Sequence, residues 1–87
     1  MLRSAFVRGL SFASAVASYI RERVWHESQE LADGPGGSVV LRMQVTPGFE
    51  LQSWIKGFLP HVRVAKPDSL RSELLAELDK ARQAFKN

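Results

Sequence analysis

The chain has 87 residues and a mass of 9.7 kDa, which suffices for one small domain and leaves no room for a second core. Hydrophobic residues make up 45% and charged residues 24%, so a disordered or fibrous chain is excluded. The absence of cysteine excludes disulfides, thiolate metal sites and a cysteine nucleophile, and a net charge of +3 permits an anionic partner without requiring one.

The first part of the chain predicts a strand followed by a helix. Residues 2–12 carry large hydrophobic side chains at alternate positions, including Phe6 and Phe12, although the strand is the weakest of the predicted elements. Residues 13–24 place Ile20 and other apolar residues on one helical face. A transit peptide is the alternative, since residues 1–21 contain no acidic residue. Arg8 interrupts the apolar stretch, so we interpret the segment as structure.

Residues 25–31 and 39–45 are predicted to pair as an antiparallel hairpin. In the second strand Val39, Leu41 and Met43 alternate with residues of a more polar face, a pattern typical of a strand buried on one side. The sequence DGPGG at positions 33–37 separates the two segments and predicts a turn.

A helix, a short strand and a last helix complete the pattern. Apolar residues at helical spacing over 51–59 predict a helix that has Thr46 as its N-cap and Pro47 at its first position and ends near residues 57–60. The alternating HVRVAK at 61–66 predicts a strand, and the stretch 67–85 predicts a helix with one apolar stripe. No apolar run reaches the length of about 18 residues that crosses a bilayer, so no membrane partner is expected.

The predicted order is β-α-β-β-α-β followed by one extra helix. This order is typical of an α+β domain, a ferredoxin-like sandwich with four antiparallel strands in one layer and two helices in the other. The additional C-terminal helix is surplus to that unit. Because this architecture carries many unrelated functions, it does not determine the chemistry.

Candidate catalytic residues are few, and we expect no enzyme. His26 and Ser28 are two residues apart on a predicted strand and share a face, but they have neither a nucleophile-elbow context nor a glycine-rich flank. Nucleophilic catalysis would also need an oriented carboxylate and an oxyanion hole. We expect no metal site at the two histidines, His26 and His61. The glycines at 34–37 join two strands, which is the wrong context for a phosphate-binding loop. No cofactor is expected.

Binding of nucleic acid has some support from basic residues. Arg42 and Arg63 fall on the polar faces of two predicted strands, and Lys66 ends the second. Together they would form a small basic platform, without the exposed aromatic residues that stack single-stranded bases. No helix-turn-helix pattern is present. We expect weak single-stranded binding that is lost with rising salt, and no specific binding of duplex DNA by this chain.

The segment YIRERVWHESQ at positions 19–29 resembles a signature of bacterial WYL-domain transcriptional regulators, and more narrowly of their C-terminal extension module, called WCX. The resemblance continues through VVLRMQV, through EL-x-x-WI-x-GF from Glu50 to Phe58, and through HVRV before Pro67. It covers about residues 6–85. Each fragment is weak by itself, whereas the joint pattern is specific.

This resemblance implies a single WCX-like domain over residues 1–87, a fragment of a longer, cytoplasmic bacterial regulator. It implies a regulatory or dimerising role, with DNA bound by a helix-turn-helix domain and the effector bound mainly by a WYL domain, both outside this chain. The alternative is a free-standing ferredoxin-like domain that binds a small-molecule or single-stranded nucleic-acid effector. Within the motif WHESQ, we expect Trp25 to pack against the end of the core, and His26, Ser28 and Gln29 to hold the hairpin by hydrogen bonds.

The last helix predicts a homodimer. Its apolar residues need cover, since exposed patches of this size are uncommon on monomers. We expect a second copy of the chain to bury these residues, because symmetric dimers are the commonest oligomers. The alternative is a monomer whose last helix lies on the open face of its own sheet. The residues predicted to form the interface are Leu70, Leu74, Leu75, Leu78 and Phe85.

Overall fold

The computed structural model describes residues 6–46 and 48–86, which form an α+β domain with one four-stranded antiparallel sheet and three α-helices. The elements are β1 (Phe6–Phe12), α1 (Ser14–Arg21), β2 (Glu30–Asp33), β3 (Val39–Gln44), α2 (Phe49–Lys56), β4 (Val62–Val64) and α3 (Asp68–Ala84). A 3₁₀ turn at Pro35–Gly37 joins β2 to β3. The α+β class and the order of the elements along the chain agree with the prediction.

The sheet has the strand order β2-β3-β1-β4, and each pair of neighbours is antiparallel. Leu10 of β1 pairs with Leu41 of β3 on one side and with Val64 of β4 on the other. Since β1 and β2 are both antiparallel to β3, which lies between them, they run in the same direction. The connection through α1 therefore crosses over β3.

The core lies between one face of this sheet and the three helices. The period-two pattern predicted for β3 is confirmed, because Val39, Leu41 and Met43 are buried while Arg42 is half-buried and Gln44 is exposed. Strands β1 and β4 and the three helices contribute the other buried side chains. The buried residues are Leu10, Phe12, Ala17, Ile20, Val39, Leu41, Met43, Ile55, Val62, Val64, Leu70 and Leu74.

Strand β1 contains a register shift that the sequence pattern did not indicate. Val7 pairs with Met43 and Leu10 with Leu41, so two residues of β1 stand opposite one residue of β3. Gly9 lies in this bulge with a φ of 70°, where glycine is favoured. The alternation predicted over residues 2–12 is interrupted there, and the start of that prediction, at Leu2, lies outside the described residues.

The predicted boundaries between α1 and β2 are wrong. Helix α1 ends at Arg21 instead of residue 24, and β2 begins at Glu30 instead of residue 25. The residues between them form turns, and Val24, which was predicted to extend the apolar face of the helix, is 83% exposed. The cause is a set of side-chain hydrogen bonds, described below, that satisfy the backbone here in place of a strand partner.

The predicted start of α2 is also wrong. The helix begins at Phe49 with Gly48 as its N-cap, and the Gln52 N–H donates the first helical hydrogen bond to the Gly48 carbonyl (3.0 Å). Thr46 is therefore not the cap, and Pro47 lies outside the described residues. The helix ends at Lys56, so Phe58 follows it in a turn and still packs against the core.

Helix α3 packs beside α2 and completes the same core. Leu70 and Leu74 are buried in it, and the Gln52 side-chain amide donates to the Glu73 carboxylate at 2.7 Å. An ion pair between Lys56 and Glu77 (3.6 Å) adds a second link. The last helix therefore packs within its own chain, as the monomer alternative supposed, but on the core side of the sheet and not on its open face. The dimer stays a prediction.

Candidate functional site

Gln29 organises the segment between α1 and β2. Its Oε1 accepts hydrogen bonds from the backbone N–H groups of Trp25 and His26, the latter at 3.2 Å, and its Nε2 donates to the Arg23 carbonyl at 3.3 Å. One half-buried side chain thus satisfies three backbone groups that have no strand partner. The WHESQ segment, residues 25–29, is a hydrogen-bonded loop and not the predicted strand.

His26 and Ser28 connect this loop to β3. The backbone N–H of Ser28 donates to Nδ1 of His26 (3.1 Å), and the Ser28 Oγ lies 2.7 Å from the same nitrogen. The Gln44 N–H in turn donates to the Ser28 Oγ at 2.8 Å. The Ser28 backbone and side chain thus both contact Nδ1 of His26, and the Ser28 Oγ connects the imidazole to β3. The pair therefore has a fixed structural arrangement, on a loop and not on a strand.

Trp25 lies half-buried against one end of the core. Its indole N–H donates to the Ile20 carbonyl (3.1 Å), which also accepts the Arg23 backbone N–H (3.4 Å) at the end of α1. Its ring centroid lies 5.1 Å from that of Trp54, 5.8 Å from Tyr19 and 6.2 Å from Phe58. The residue therefore combines an apolar contact with a polar one that closes a helix end.

The sheet face opposite the core, which we call the open face, carries Ser11, Val40, Arg42 and Arg63. Buried residues precede and follow both arginines in their strands, so both lie on this face, as predicted. Strands β3 and β4 flank β1, which separates the two arginines by about 10 Å across the sheet. Ser11 of β1 pairs with Val40 on one side and with Arg63 on the other, and Arg42 lies two residues further along β3.

The three predicted basic residues differ in their electrostatic surroundings. Arg42 is 3.1 Å from the Glu30 carboxylate, and Lys66, which lies beyond the end of β4, is 3.9 Å from Asp68. Within residues 6–46 and 48–86, no carboxylate is placed at ion-pair distance from Arg63. Arg63 is therefore the strongest candidate of the three for contact with an external anion.

A groove of about 380 Å³ lies beside Arg63, where β1, β4 and the turn before β3 meet the start of α1. The Ala13 N–H donates to the His61 carbonyl (2.8 Å) and fixes the start of α1 against β4. The arrangement can bind a small polar or anionic group through one guanidinium and several hydroxyls. The polar residues lining the groove are Ser11, Ser14, Ser38, His61 and Arg63. The serines come from three separate elements, so no local pattern of the sequence predicts that they meet.

The second half of α3 presents an apolar surface to solvent. Leu75 is 52% exposed and Phe85 is 90% exposed, while Leu78 is half-buried. We call Leu75, Leu78 and Phe85 the α3 surface. Two of the five predicted interface residues, Leu70 and Leu74, are instead buried in the domain's own core, so the predicted set divides between the core and the surface.

The described part of the chain contains no group of three or more His, Asp or Glu residues that could hold a metal ion. None of the helices described here is long and apolar enough to cross a membrane.

A comparison with protein-family models gives one result. The model described as the WCX domain matches residues 9–82, from the glycine of the β1 bulge to the last part of α3. The matched range contains the WHESQ segment, the whole open face and most of the α3 surface. A comparison with curated proteins finds no match.

Proposed function

Because this chain belongs to the WCX domain family, we propose that it is the regulatory self-association module of a bacterial transcriptional regulator of the WYL-domain type. DNA binding and most of the effector binding belong, in this proposal, to other domains of that regulator, which acts in the cytoplasm. The proposal assigns no catalytic step to the chain. The observation that carries it is the exposed α3 surface.

The α3 surface has the geometry of a helix-pairing site. Helix α3 has 17 residues and is about 25 Å long, but only its first half is buried in the core. At 3.6 residues per turn, Leu75, Leu78 and Phe85 lie within about 80° of one another around the helix axis. They follow the a/d spacing of two paired helices, with Arg82 at the remaining position of the stripe.

The charges around this surface suit a symmetric pair. In a two-fold interface the same surface occurs on both copies, so it has to complement itself. The second half of α3 carries both signs, with ion pairs between Lys80 and Glu77 (3.8 Å) and between Arg82 and Asp79 (3.0 Å). An antiparallel pair of these helices would place charges of opposite sign opposite one another, whereas a block of one sign would repel its own copy.

Light scattering coupled to size exclusion tests this proposal at tens of micromolar protein. The wild-type chain should show twice the mass of 9.7 kDa. Leu75→Asp places a charge in the α3 surface and should return the mass to that of a monomer without loss of the circular dichroism of the fold. Ala76→Asp adds the same charge at an exposed position of the same helix, about 100° from Leu75 on the side away from Leu78 and Phe85, and should leave the dimer intact. A wild-type mass of one chain that persists on concentration would overturn the proposal.

We also propose that the β-α-β-β-α-β unit is a ferredoxin-like sandwich. Support comes from the strand order β2-β3-β1-β4 with antiparallel neighbours, and from the split β-α-β arrangement in which β3 lies between β1 and β2. Helix α3 is then an addition to the helical layer that widens it beyond two helices.

A second candidate function is binding of a small-molecule or single-stranded nucleic-acid effector on the open face. The observation that favours it is the position of Arg63, which lines the groove beside three serines and has no described carboxylate at ion-pair distance. A guanidinium next to hydroxyl groups matches the donors that bind phosphate oxygens. A single strong candidate cation predicts weak binding that depends on salt.

A further inference from the structure

A second cavity, of about 280 Å³, lies where the WHESQ segment meets the end of β3 and the start of α2. We propose that this cavity binds a small organic cation with an apolar body, of the arylalkylammonium class. The proposal concerns different residues from the α3 surface and from the groove beside Arg63. It therefore does not depend on self-association or on nucleic-acid binding.

Two indole rings form the wall of the cavity. The ring centroids of Trp25 and Trp54 are 5.1 Å apart, and the ring planes meet at 58°. The N–H of Trp25 is already donated to the Ile20 carbonyl, so it is not available to a ligand. Met43 and Val45 add apolar surface from β3 and the residue that follows it. Aromatic π systems attract cations, and indole does so most strongly.

The charge of the cavity is set by Glu50. Among the described residues that line it, His26 and Glu50 are the two with ionisable side chains. Nδ1 of His26 accepts the Ser28 backbone N–H, and the Glu50 side chain is the one carboxylate among these lining residues. Glu50 is exposed in the first turn of α2, where it can turn toward a ligand. A carboxylate beside two indoles favours a cation and repels an anion.

The size of the cavity limits the occupant. Pockets that enclose drug-sized ligands have volumes of about 300–1,000 Å³, and this cavity lies just below that range. It therefore suits a molecule with one ring and a short amine.

Intrinsic fluorescence provides a direct measurement, because the chain has two tryptophans and both line this cavity. We would titrate the intact chain with phenethylammonium, with neutral 2-phenylethanol and with phenylacetate, which share a ring and differ in charge. Phenethylammonium should give a saturable change in emission, with an affinity about 3- to 30-fold above that of the alcohol. Phenylacetate should bind more weakly than the alcohol.

Glu50→Gln tests the origin of this selectivity without altering the packed rings. It should remove most of the preference for the ammonium over the alcohol, while Glu73→Gln, which removes the same charge outside the cavity, should leave the preference unchanged. Equal affinities for the three probes would overturn the proposal. So would a linear, non-saturating decrease in emission, which indicates collisional quenching, or an unchanged preference in Glu50→Gln.

Discussion

Replacing Trp25 by alanine should destabilise the domain by about 3 kcal/mol. Truncating a fully buried large aromatic ring to alanine costs about 3–5 kcal/mol of stability. Because Trp25 is half-buried, we expect the loss of its packing contacts to cost about 2 kcal/mol. Loss of the indole hydrogen bond to the Ile20 carbonyl adds about 1 kcal/mol. A domain of this length has a total stability of about 4–13 kcal/mol, so the substitution removes a large part of it.

Trp25→Phe separates the two contributions. It keeps a ring beside Trp54 and Phe58 but has no N–H for the Ile20 carbonyl, so we expect a loss of about 1 kcal/mol. Urea unfolding followed by far-ultraviolet circular dichroism measures both variants without relying on tryptophan emission. A free energy of unfolding for Trp25→Ala within about 0.5 kcal/mol of wild type would show that the ring does not support the fold.

Two further predictions concern the open face and the β1 bulge. Arg63→Ala should weaken the binding of a labelled single-stranded oligonucleotide. It should also lower the slope of log affinity against log salt concentration by about 0.7, the value for one phosphate contact. Tight, salt-resistant, sequence-dependent binding of a duplex would contradict the expectation of weak single-stranded binding at Arg63. Gly9→Ala should cost about 2 kcal/mol in urea unfolding, because its φ is 70° and a Cβ would lie 2.9 Å from that of Ala65. Gly36→Ala has a similar φ of 63° with no atom within 4 Å, so it should cost less; equal losses would show that the contact with Ala65 is unimportant.

The strands and helices that follow a single period could be predicted from the sequence. Strand β3 alternates because one of its faces is buried along its whole length, and this also placed Arg42 correctly on the open face. The placement of Arg63 follows from the same rule in β4. Burial of one face is a local property of a strand, so the alternation of apolar and polar residues along that strand indicates it.

The segment between α1 and β2 could not be predicted in this way. Its conformation depends on one side chain, Gln29, whose hydrogen bonds reach backbone groups three to six residues away, and on the contact of Ser28 with Gln44 sixteen residues away. These contacts compete with strand pairing and leave no periodic pattern. The motif was correctly identified as a source of hydrogen bonds, while its secondary structure was not.

The groove and the position of α3 depend on tertiary structure. Ser11, Ser14 and Ser38 belong to a strand, a helix and a turn, and only the folded chain brings them beside Arg63. The apolar residues of α3 gave one stripe in the sequence, but the core ends near Leu74 and Leu78, and the helix continues beyond it. The spacing of the apolar residues in one helix does not indicate how far the core extends along that helix.

Pairing through α3 can be measured directly by pulsed electron paramagnetic resonance, because the chain contains no cysteine and accepts a single label at a chosen site. A spin label on Ser72→Cys lies on an exposed position of α3, and one on Ala32→Cys lies on β2, at the opposite edge of the sheet from β4. Paired helices have axes about 8–10 Å apart. We predict a defined distance between copies for the α3 label that is clearly shorter than that for the β2 label. An absence of dipolar coupling for the α3 label, or a shorter distance for the β2 label, would contradict self-association through this helix.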